Sequence, residues 1–509
     1  MTDPAAPSFS IAETRAIVFG LMLIILLGAL DQTIVSVSLP NMAHDLGNVS
    51  MLAWVVAGYL VAATVSTPVY GKLGDLYGRR LLLTIAVVVF LIASVACALA
   101  TSMPMMIAAR VLQGIGGGGL ISSSQAIIGD VVPLRERGRY QGYISVVYAA
   151  ASVGGPVLGG YLTHLLSWRW IFWINLPLGA AALWTARQSL KRLPVPGVKR
   201  PIDYLGAILL TSGLSLLLIA ITRIGQGVAV LTTSTLLPSA VAVALLIVFV
   251  WHEHRAAEPL VPPSIVRIPT VWIGCIILFI SFSMIVSLSV LVPYGMQMLD
   301  GIRSDQAALH LIAFSLAVPI GAFISGRLML RSGRYKPLQL TGTMLLPLAL
   351  LVLAYVGPHP TWGTSLALII AGLATGMTLP TSLVAAQNAV ARKDIGVATA
   401  ISALSRSMGG AIGVAVFSAI LFALLQGSLA SAPDTTSIAL NLTQKAVQKH
   451  DQAFAFRITF LCGALFAFIG HLIAWRIPEN RLLTTSQNNS GANVKLKDNA
   501  NDQPQNAEA

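Results

Sequence analysis

Residues 16–36 read AIVFGLMLIILLGALDQTIVS, an apolar run interrupted by one charge, Asp31, near its end. A helix needs roughly 20 apolar residues to cross the hydrocarbon core of a bilayer, so this stretch is long enough to span one. Comparable stretches follow at 51–70, 81–100, 105–127, 140–163, 169–187, 204–223, 231–251, 270–292, 307–328, 338–356, 363–384, 396–424 and 454–474, making fourteen predicted spans. In hydrocarbon only helices and closed barrels satisfy every backbone N–H and C=O. These stretches far exceed the roughly ten-residue alternating strands of a barrel, so the predicted class is an all-α polytopic membrane protein.

Composition agrees. Of 509 residues 56% are hydrophobic and 10% charged, whereas a soluble domain carries about 25% charged residues. The formal charge of +13 does not indicate nucleic acid, because the basic residues lie in short loops between spans. Cys97, Cys275 and Cys462 fall inside apolar segments, which argues against a disulfide framework. Met1 to Ser10 is polar and no separate cleavage site follows, so no removed leader is expected.

An even number of spans puts both termini on one side. The loops around Lys72, Arg79 and Arg80, around Arg135, Arg137 and Arg139, from Arg187 to Arg200, around Arg255 and Arg267, from Arg327 to Lys336, and at Arg392 and Lys393, with the two termini, hold 24 of the 32 basic residues. The opposite face holds six: Arg169, Arg223, Arg303, Lys445, Lys449 and Arg457. The positive-inside rule therefore predicts cytoplasmic termini. The polar tail from Thr484 to Ala509 is expected to be disordered, and Ile438 to Val447 to form a short surface helix.

A shift of 255 residues lays Gly71, Leu73, Gly78 and Arg79 on Gly326, Leu328, Gly333 and Arg334, and Gly154 and Gly155 on Gly409 and Gly410. One offset recovering both a basic loop and a glycine helix indicates duplication. The expected organisation is an N-terminal segment 1–15, a six-helix bundle 16–187, a linker region 188–269 with two inserted helices, a second six-helix bundle 270–474, and a tail 475–509. Two such bundles can rock about a midplane site and alternate its access.

The charges that interrupt the spans are the candidate working residues. A carboxylate as deep as Asp31 costs several kcal/mol unless it is protonated, paired or facing water, which makes it a candidate site for proton exchange. The bland alternative is a carboxylate locked by hydrogen bonds near an interface. Arg110 is a second intramembrane charge, with Gln113 close to one turn away and Gly114 following it. Arginine cannot itself release a proton, but it can govern a nearby carboxylate. Arg406 either lines a cavity or extends to the interface. In the loop 71–80, Gly71 and Gly78 permit a tight turn, and Asp75 among Lys72, Arg79 and Arg80 is placed to form ion pairs that hold one side closed. Its glycines do not follow the order of a phosphate-binding loop. Gly155, Pro156, Gly159 and Gly160 are expected to let the fifth span approach a neighbour and bend. Trp54, Tyr59, Met284 and Tyr294 are candidate cavity-lining residues with Gln113 and Arg406, although such residues at helical spacing are more often simple packing. Trp168, Trp170, Phe172 and Trp173 are expected in an interfacial belt. No histidine or cysteine set converges on a metal, and no cofactor is expected.

The stretches GKLGDLYGRR (71–80), LDQTIVSVSLP (30–40), RVLQG (110–114), GPVLGG (155–160) and WRWIFWINLP (168–177) together resemble the major facilitator superfamily, in its branch of fourteen-span drug:proton antiporters. The resemblance covers about residues 12–480. It implies two six-helix bundles with two inserted helices, and proton-driven export of hydrophobic, often cationic drugs, dyes or antiseptics. It also implies a coupling role for Asp31 and Arg110, a gating role for Asp75 and Arg79, and an antiporter role for Gly155 and Pro156. Ser36 and Ser38 stand where the family more often has asparagine and alanine, Ala151 replaces a glycine, and the tenth span lacks an acid that some relatives carry. The expected partners are protons, small amphiphiles and membrane lipids, with no nucleic acid, and the expected unit is a monomer. Transport of a specific metabolite, lipid or peptide is the alternative. An enzyme is not expected, since paired catalytic carboxylates and a fused soluble domain are missing.

Overall fold

The computed structural model describes residues 10–47, 51–189, 203–225, 232–256, 258–302, 304–391, 394–430 and 438–479. Every regular element among them is an α-helix. The first half contains α1 (Ile11–Leu46), α2 (Leu52–Tyr77), α3 (Arg79–Ala98), α4 (Met103–Val131), α5 (Leu134–Leu165), α6 (Trp170–Trp173) and α7 (Asn175–Ser189). Then come α8 (Tyr204–Gly225), α9 (Thr233–Glu253) and the short α10 (Pro263–Val266). The second half contains α11 (Pro269–Asp300), α12 (Ser304–Ser332), α13 (Lys336–Val356), α14 (Trp362–Asn388), α15 (Ile395–Ala430) and α16 (Ile438–Ala474).

Thirteen of these helices are long and apolar enough to cross a membrane. The sixth predicted span instead forms two pieces, α6 and α7, that meet around Ile174. Most helices run beyond the predicted apolar spans, and two starts stand out. Helix α1 starts at Ile11 because Ser10 and Glu13 form a reciprocal capping box. The stretch expected as a separate surface helix, 438–447, is the first part of the continuous α16. The tail from Thr484 lies outside the described residues.

Packing repeats between the halves. In the first, α4 lies between α2 and α3, α5 packs on α1, and α7 on α1 and α3. In the second, α14 lies between α12 and α13, α15 packs on α11, and α16 on α11 and α13. The bundles meet along two matching seams, α5 with α12 and α2 with α15. Small residues make both close. A Cβ on Gly138 would lie 3.0 Å from the Gly326 Cα, and one on Gly71 3.0 Å from the Gly396 carbonyl oxygen. The inserted helix α8 lies across the α2–α15 seam, where Leu210, Leu214 and Leu218 pack with Val65 of α2 and Leu404 and Met408 of α15.

Within the first bundle the glycines of α4 allow contact on two faces. A side chain at Gly114 or Gly118 would run into the α2 backbone at Tyr59 or Ala63, and one at Gly116 into α3 at Ala86 and Phe90. Gly116→Val is expected to lower the unfolding midpoint in detergent by the equivalent of about 1–3 kcal/mol, the usual cost of overpacking. Gly154→Val is the control, since a Cβ there meets nothing within 4 Å.

At the end of α1 opposite the basic loops, Asp45 accepts a hydrogen bond from Trp168 Nε1 at 2.8 Å and faces Arg169 at 3.4 Å. Trp168 and Phe172 are buried, so they belong to this corner and not to an interfacial belt; Trp170 is exposed. The Trp168 N–H, aided by His44 and Arg169, holds the Asp45 carboxyl below its usual range despite some burial. Because the folded value is depressed, the contribution is present above the unfolded carboxylate pKa of about 3.9 and is lost as pH falls through the folded value. Trp168→Phe is expected to raise the pH at which acid unfolds the protein, as followed by circular dichroism.

Candidate functional site

Asp31 and Arg110 meet inside the first bundle. Arg110 Nη1 lies 2.6 Å from Asp31 Oδ2, with the two side chains 1% and 0% exposed. The second carboxylate oxygen accepts from Gln113 Nε2 and Asn175 Nδ2, both at 3.0 Å. Ser94 Oγ accepts from the same two amides, at 2.7 and 3.2 Å. Arg110 also donates to Gln113 Oε1 at 2.7 Å and to the Val55 carbonyl at 3.2 Å, and its guanidinium lies 4.3 Å from the centre of the Tyr59 ring. The network joins α1, α2, α3, α4 and α7, so it holds most of one bundle together.

This geometry answers the cost of burial with pairing: a lone charge would be prohibitive, whereas the pair with its hydrogen bonds is tolerable. Protonating Asp31 would remove the counter-charge of Arg110 and loosen α1 from α4. Ser94 and Asn175 were not singled out from sequence as site residues. A serine in an apolar helix is unremarkable, and the available signal was Asn175, an amide within the sixth span.

A cavity of 1040 Å³ lies between the bundles. Gln32 and Thr33, the two residues after Asp31, line it, and Asp31 does not. The wall is otherwise mostly apolar, with residues such as Ile121, Leu218, Phe282 and Phe314, and with scattered polar groups including Gln125, Gln141 and Ser402. Arg406 lines it, with its guanidinium 5.1 Å from the Phe282 ring centre.

The other residues expected along the cavity are not among its lining. Gln113 is in the buried network and Tyr59 is buried beneath Arg110. Met284 is buried in the core of the second bundle, and Tyr294 packs on Phe422 and Phe456. Trp54 is half-buried and separate from it. The rotation of each helix decides these positions, and apolar helices with little polar–apolar asymmetry do not record it.

The glycine–proline stretch of α5 sits directly on α1. A Cβ at Gly155 would strike the Thr33 side chain and one at Gly159 the Ile34 carbonyl oxygen at 2.7 Å, while Thr33 Oγ1 donates to the Ala151 carbonyl at 2.8 Å. Pro156 lies inside α5, and Gly160 is half-buried. The second bundle uses Gly409 and Gly413 against Phe279 and Ser283 of α11, with Ser283 Oγ donating to the Gly409 carbonyl at 2.8 Å.

At the basic-loop end the bundles touch beyond the last residues that line the cavity, Gly71 against Gly396 and Gly138 against Gly326. Asp75 accepts from Arg79 Nη2 at 2.8 Å and from the Val397 backbone N–H at 3.1 Å, in the first turn of α15. A carboxylate there satisfies an otherwise orphan donor and faces the positive end of the helix dipole. Arg79 Nε reaches Asp130 at 3.0 Å, and Gly78 takes the positive φ of 94° that the turn into α3 requires. Arg80 is half-buried beside it, and its carbonyl accepts from Thr84. Lys72 pairs with Glu258 at 3.3 Å, tying α2 to the segment after α9. Beside the other seam Arg137 of α5 donates to Gln387 of α14 in the second bundle at 3.4 Å, and within its own bundle to the Gly129 carbonyl of α4.

The family model described as Major Facilitator Superfamily matches residues 21–414. An uncharacterized MFS-type transporter of Mycobacterium tuberculosis (strain H37Rv) is 34% identical over 482 residues, covering 91% of this chain and 69% of its own length. The multidrug transporter protein MdtP of Bacillus subtilis is 31% identical over 415 residues, covering 81% and 76%. Among solved structures, the proton:xylose symporter XylE bound to 6-bromo-6-deoxy-D-glucose superposes with a TM-score of 0.62 at 16% identity, over 94% of this chain and 98% of its own. A bacterial homologue of the iron transporter ferroportin in an outward-facing state gives 0.62 at 13% identity, over 91% and 99%. Both structures bear on the fold alone.

Proposed function

The chain belongs to the major facilitator superfamily, and from that premise we propose that it is a proton-coupled antiporter exporting hydrophobic amphiphiles by alternating access. The observation that carries the reading is the fully buried Asp31–Arg110 pair one residue behind the wall of a 1040 Å³ cavity. The pair also holds the bundle together, and its place directly behind the cavity wall is what lets a change of its charge move that wall. The relative named as a multidrug transporter protein supports the cargo class, and a large, mostly apolar wall suits amphiphiles better than sugars.

In this reading the basic loops face the cytoplasm of a bacterial inner membrane, and the closure built on Asp75 seals that side. A proton from outside displaces Arg110 from Asp31. Helix α1, which carries Gln32 and Thr33 in the cavity wall, then shifts against the glycines of α5. Loss of the proton to the cytoplasm restores the pair and readies the next cycle. Proton and cargo do not share an atom here, since Asp31 is outside the lining; their coupling runs through α1. One chain encloses the pathway, so the working unit is a monomer.

The test is efflux of a hydrophobic dye from proteoliposomes holding the full chain, with and without an imposed pH gradient. Dye movement that accelerates with the gradient, accompanied by dye-dependent proton movement in the opposite direction, is the expected result. Co-directional proton movement would mean symport and would overturn the proposal.

A further inference from the structure

We infer that the cavity selects amphiphiles carrying a single negative charge, with Arg406 as the group that pairs with it. Among the described residues lining the cavity, Arg406 is the one charged side chain, and no aspartate or glutamate lines it. Asp31, next in the chain to the lining residue Gln32, is 0% exposed and its charge is matched at 2.6 Å by Arg110. The wall therefore presents an excess positive charge.

The setting strengthens that charge. Arg406 contacts the Phe282 ring, 5.1 Å to its centre, in a mostly apolar wall where charge is weakly screened. A cation in such surroundings lowers its free energy most by acquiring an anion, and a guanidinium can hold a carboxylate or sulfonate through two parallel hydrogen bonds. A cationic drug would meet repulsion with no compensating acid. The resemblance to drug antiporters implies cargo that is often cationic, and this cavity is built with the opposite sign.

Charge selection and proton coupling then reside on different bundles, Arg406 on α15 and Asp31 on α1. The inference rests on the proposed export function for its context, yet it is separable from it. Removing Arg406 should alter which amphiphile is bound, and removing Asp31 should alter whether a proton gradient drives it.

Three probes with one dansyl body and a short alkyl chain, ended by a sulfonate, a hydroxyl or a trimethylammonium, test this on the purified full chain. Equilibrium binding is measured without a gradient, and transport with one. The wild type is expected to bind the sulfonate tightest. Arg406→Gln should weaken the sulfonate by about ten- to a hundredfold, the scale of one charge-assisted contact, and move the hydroxyl probe by less than about twofold. Arg406→Lys should recover part of the loss, and Arg406→Glu should turn the preference toward the trimethylammonium. If Arg406→Gln does not fold, the wild-type ranking and Arg406→Lys decide. Wild type binding the trimethylammonium at least as well as the sulfonate would overturn the inference, as would an equal loss for all three probes. Sulfonate selectivity in binding without gradient-driven transport would leave the inference standing and remove the antiport reading; gradient-driven export of the trimethylammonium probe alone would do the reverse.

Discussion

Asp31→Asn is expected to abolish pH-gradient-driven efflux and also to destabilise the protein, and the two effects have separate causes. The amide cannot take or release the proton, so the coupling step is lost outright. It also leaves the Arg110 guanidinium, 1% exposed, without the carboxylate now 2.6 Å away. Breaking a buried pair from one side costs about 3–5 kcal/mol. Arg110→Gln alone leaves the carboxylate stranded and should cost a similar amount. The double variant removes both charges, so its stability should lie above the sum of the single losses, a non-additivity that thermal unfolding of all four proteins reads directly. Transport should not return with stability. Gradient-driven efflux that survives in Asp31→Asn would remove Asp31 from the mechanism, whatever the unfolding data show.

The residues of this network differ in how legible they were. Asp31 and Arg110 stand out because a charge inside a long apolar run demands an explanation. Their contact does not, since 79 residues separate them and the sequence holds no register between α1 and α4. Ser94 and Asn175 carry two hydrogen bonds each in the network, yet each is a small polar residue in a segment that tolerates such residues. The cavity was least legible of all. Tyr59 and Met284 have the right chemistry to line it and point elsewhere, because a helix apolar all round gives no clue to its rotation. The spans themselves were nearly complete, and the exceptions have local causes: the division near Ile174, the capping box at Ser10, and an α16 that begins well before its apolar part.

The internal repeat is legible in the seams and broken where the charges are. Gly71 on Gly396 and Gly326 on Gly138 place the ends of α2 and α12 against the starts of α15 and α5 in the same way. At a shift of 255, however, Asp75 falls on Leu330 and Asp130 on Ala385. Arg334, the counterpart of Arg79, reaches Glu479 at 3.4 Å beyond α16 instead of an acid in its own loop. Both seams are therefore packed, but the charged closure belongs to the α2–α15 seam, where Lys72 also engages Glu258 after the inserted helices.

That asymmetry makes Asp75→Asn the most direct way to unbalance the conformations. The substitution keeps the shape but removes the charge that faces Arg79 at 2.8 Å and the α15 N-terminus through Val397 at 3.1 Å. Arg79 lies one turn further on in the same bundle, so the contact expected to differ between states is the one to Val397; a hydrogen bond to a charged group contributes about 1.5–3 kcal/mol, and its loss is expected to shift the equilibrium by about ten- to a hundredfold. Ser402 reports the shift, since it lines the cavity just inside the closure and is 2% exposed. With Cys97, Cys275 and Cys462 replaced by serine, a cysteine introduced by Ser402→Cys should react slowly with a membrane-impermeant maleimide added from the basic-loop side. Adding Asp75→Asn should speed that reaction by about tenfold or more, while Arg334→Gln on the other loop should change it little. Equal effects of the two substitutions would mean that both seams seal alike, and an unchanged rate in Asp75→Asn would mean that packing at Gly71 and Gly138 closes this end without help from charge.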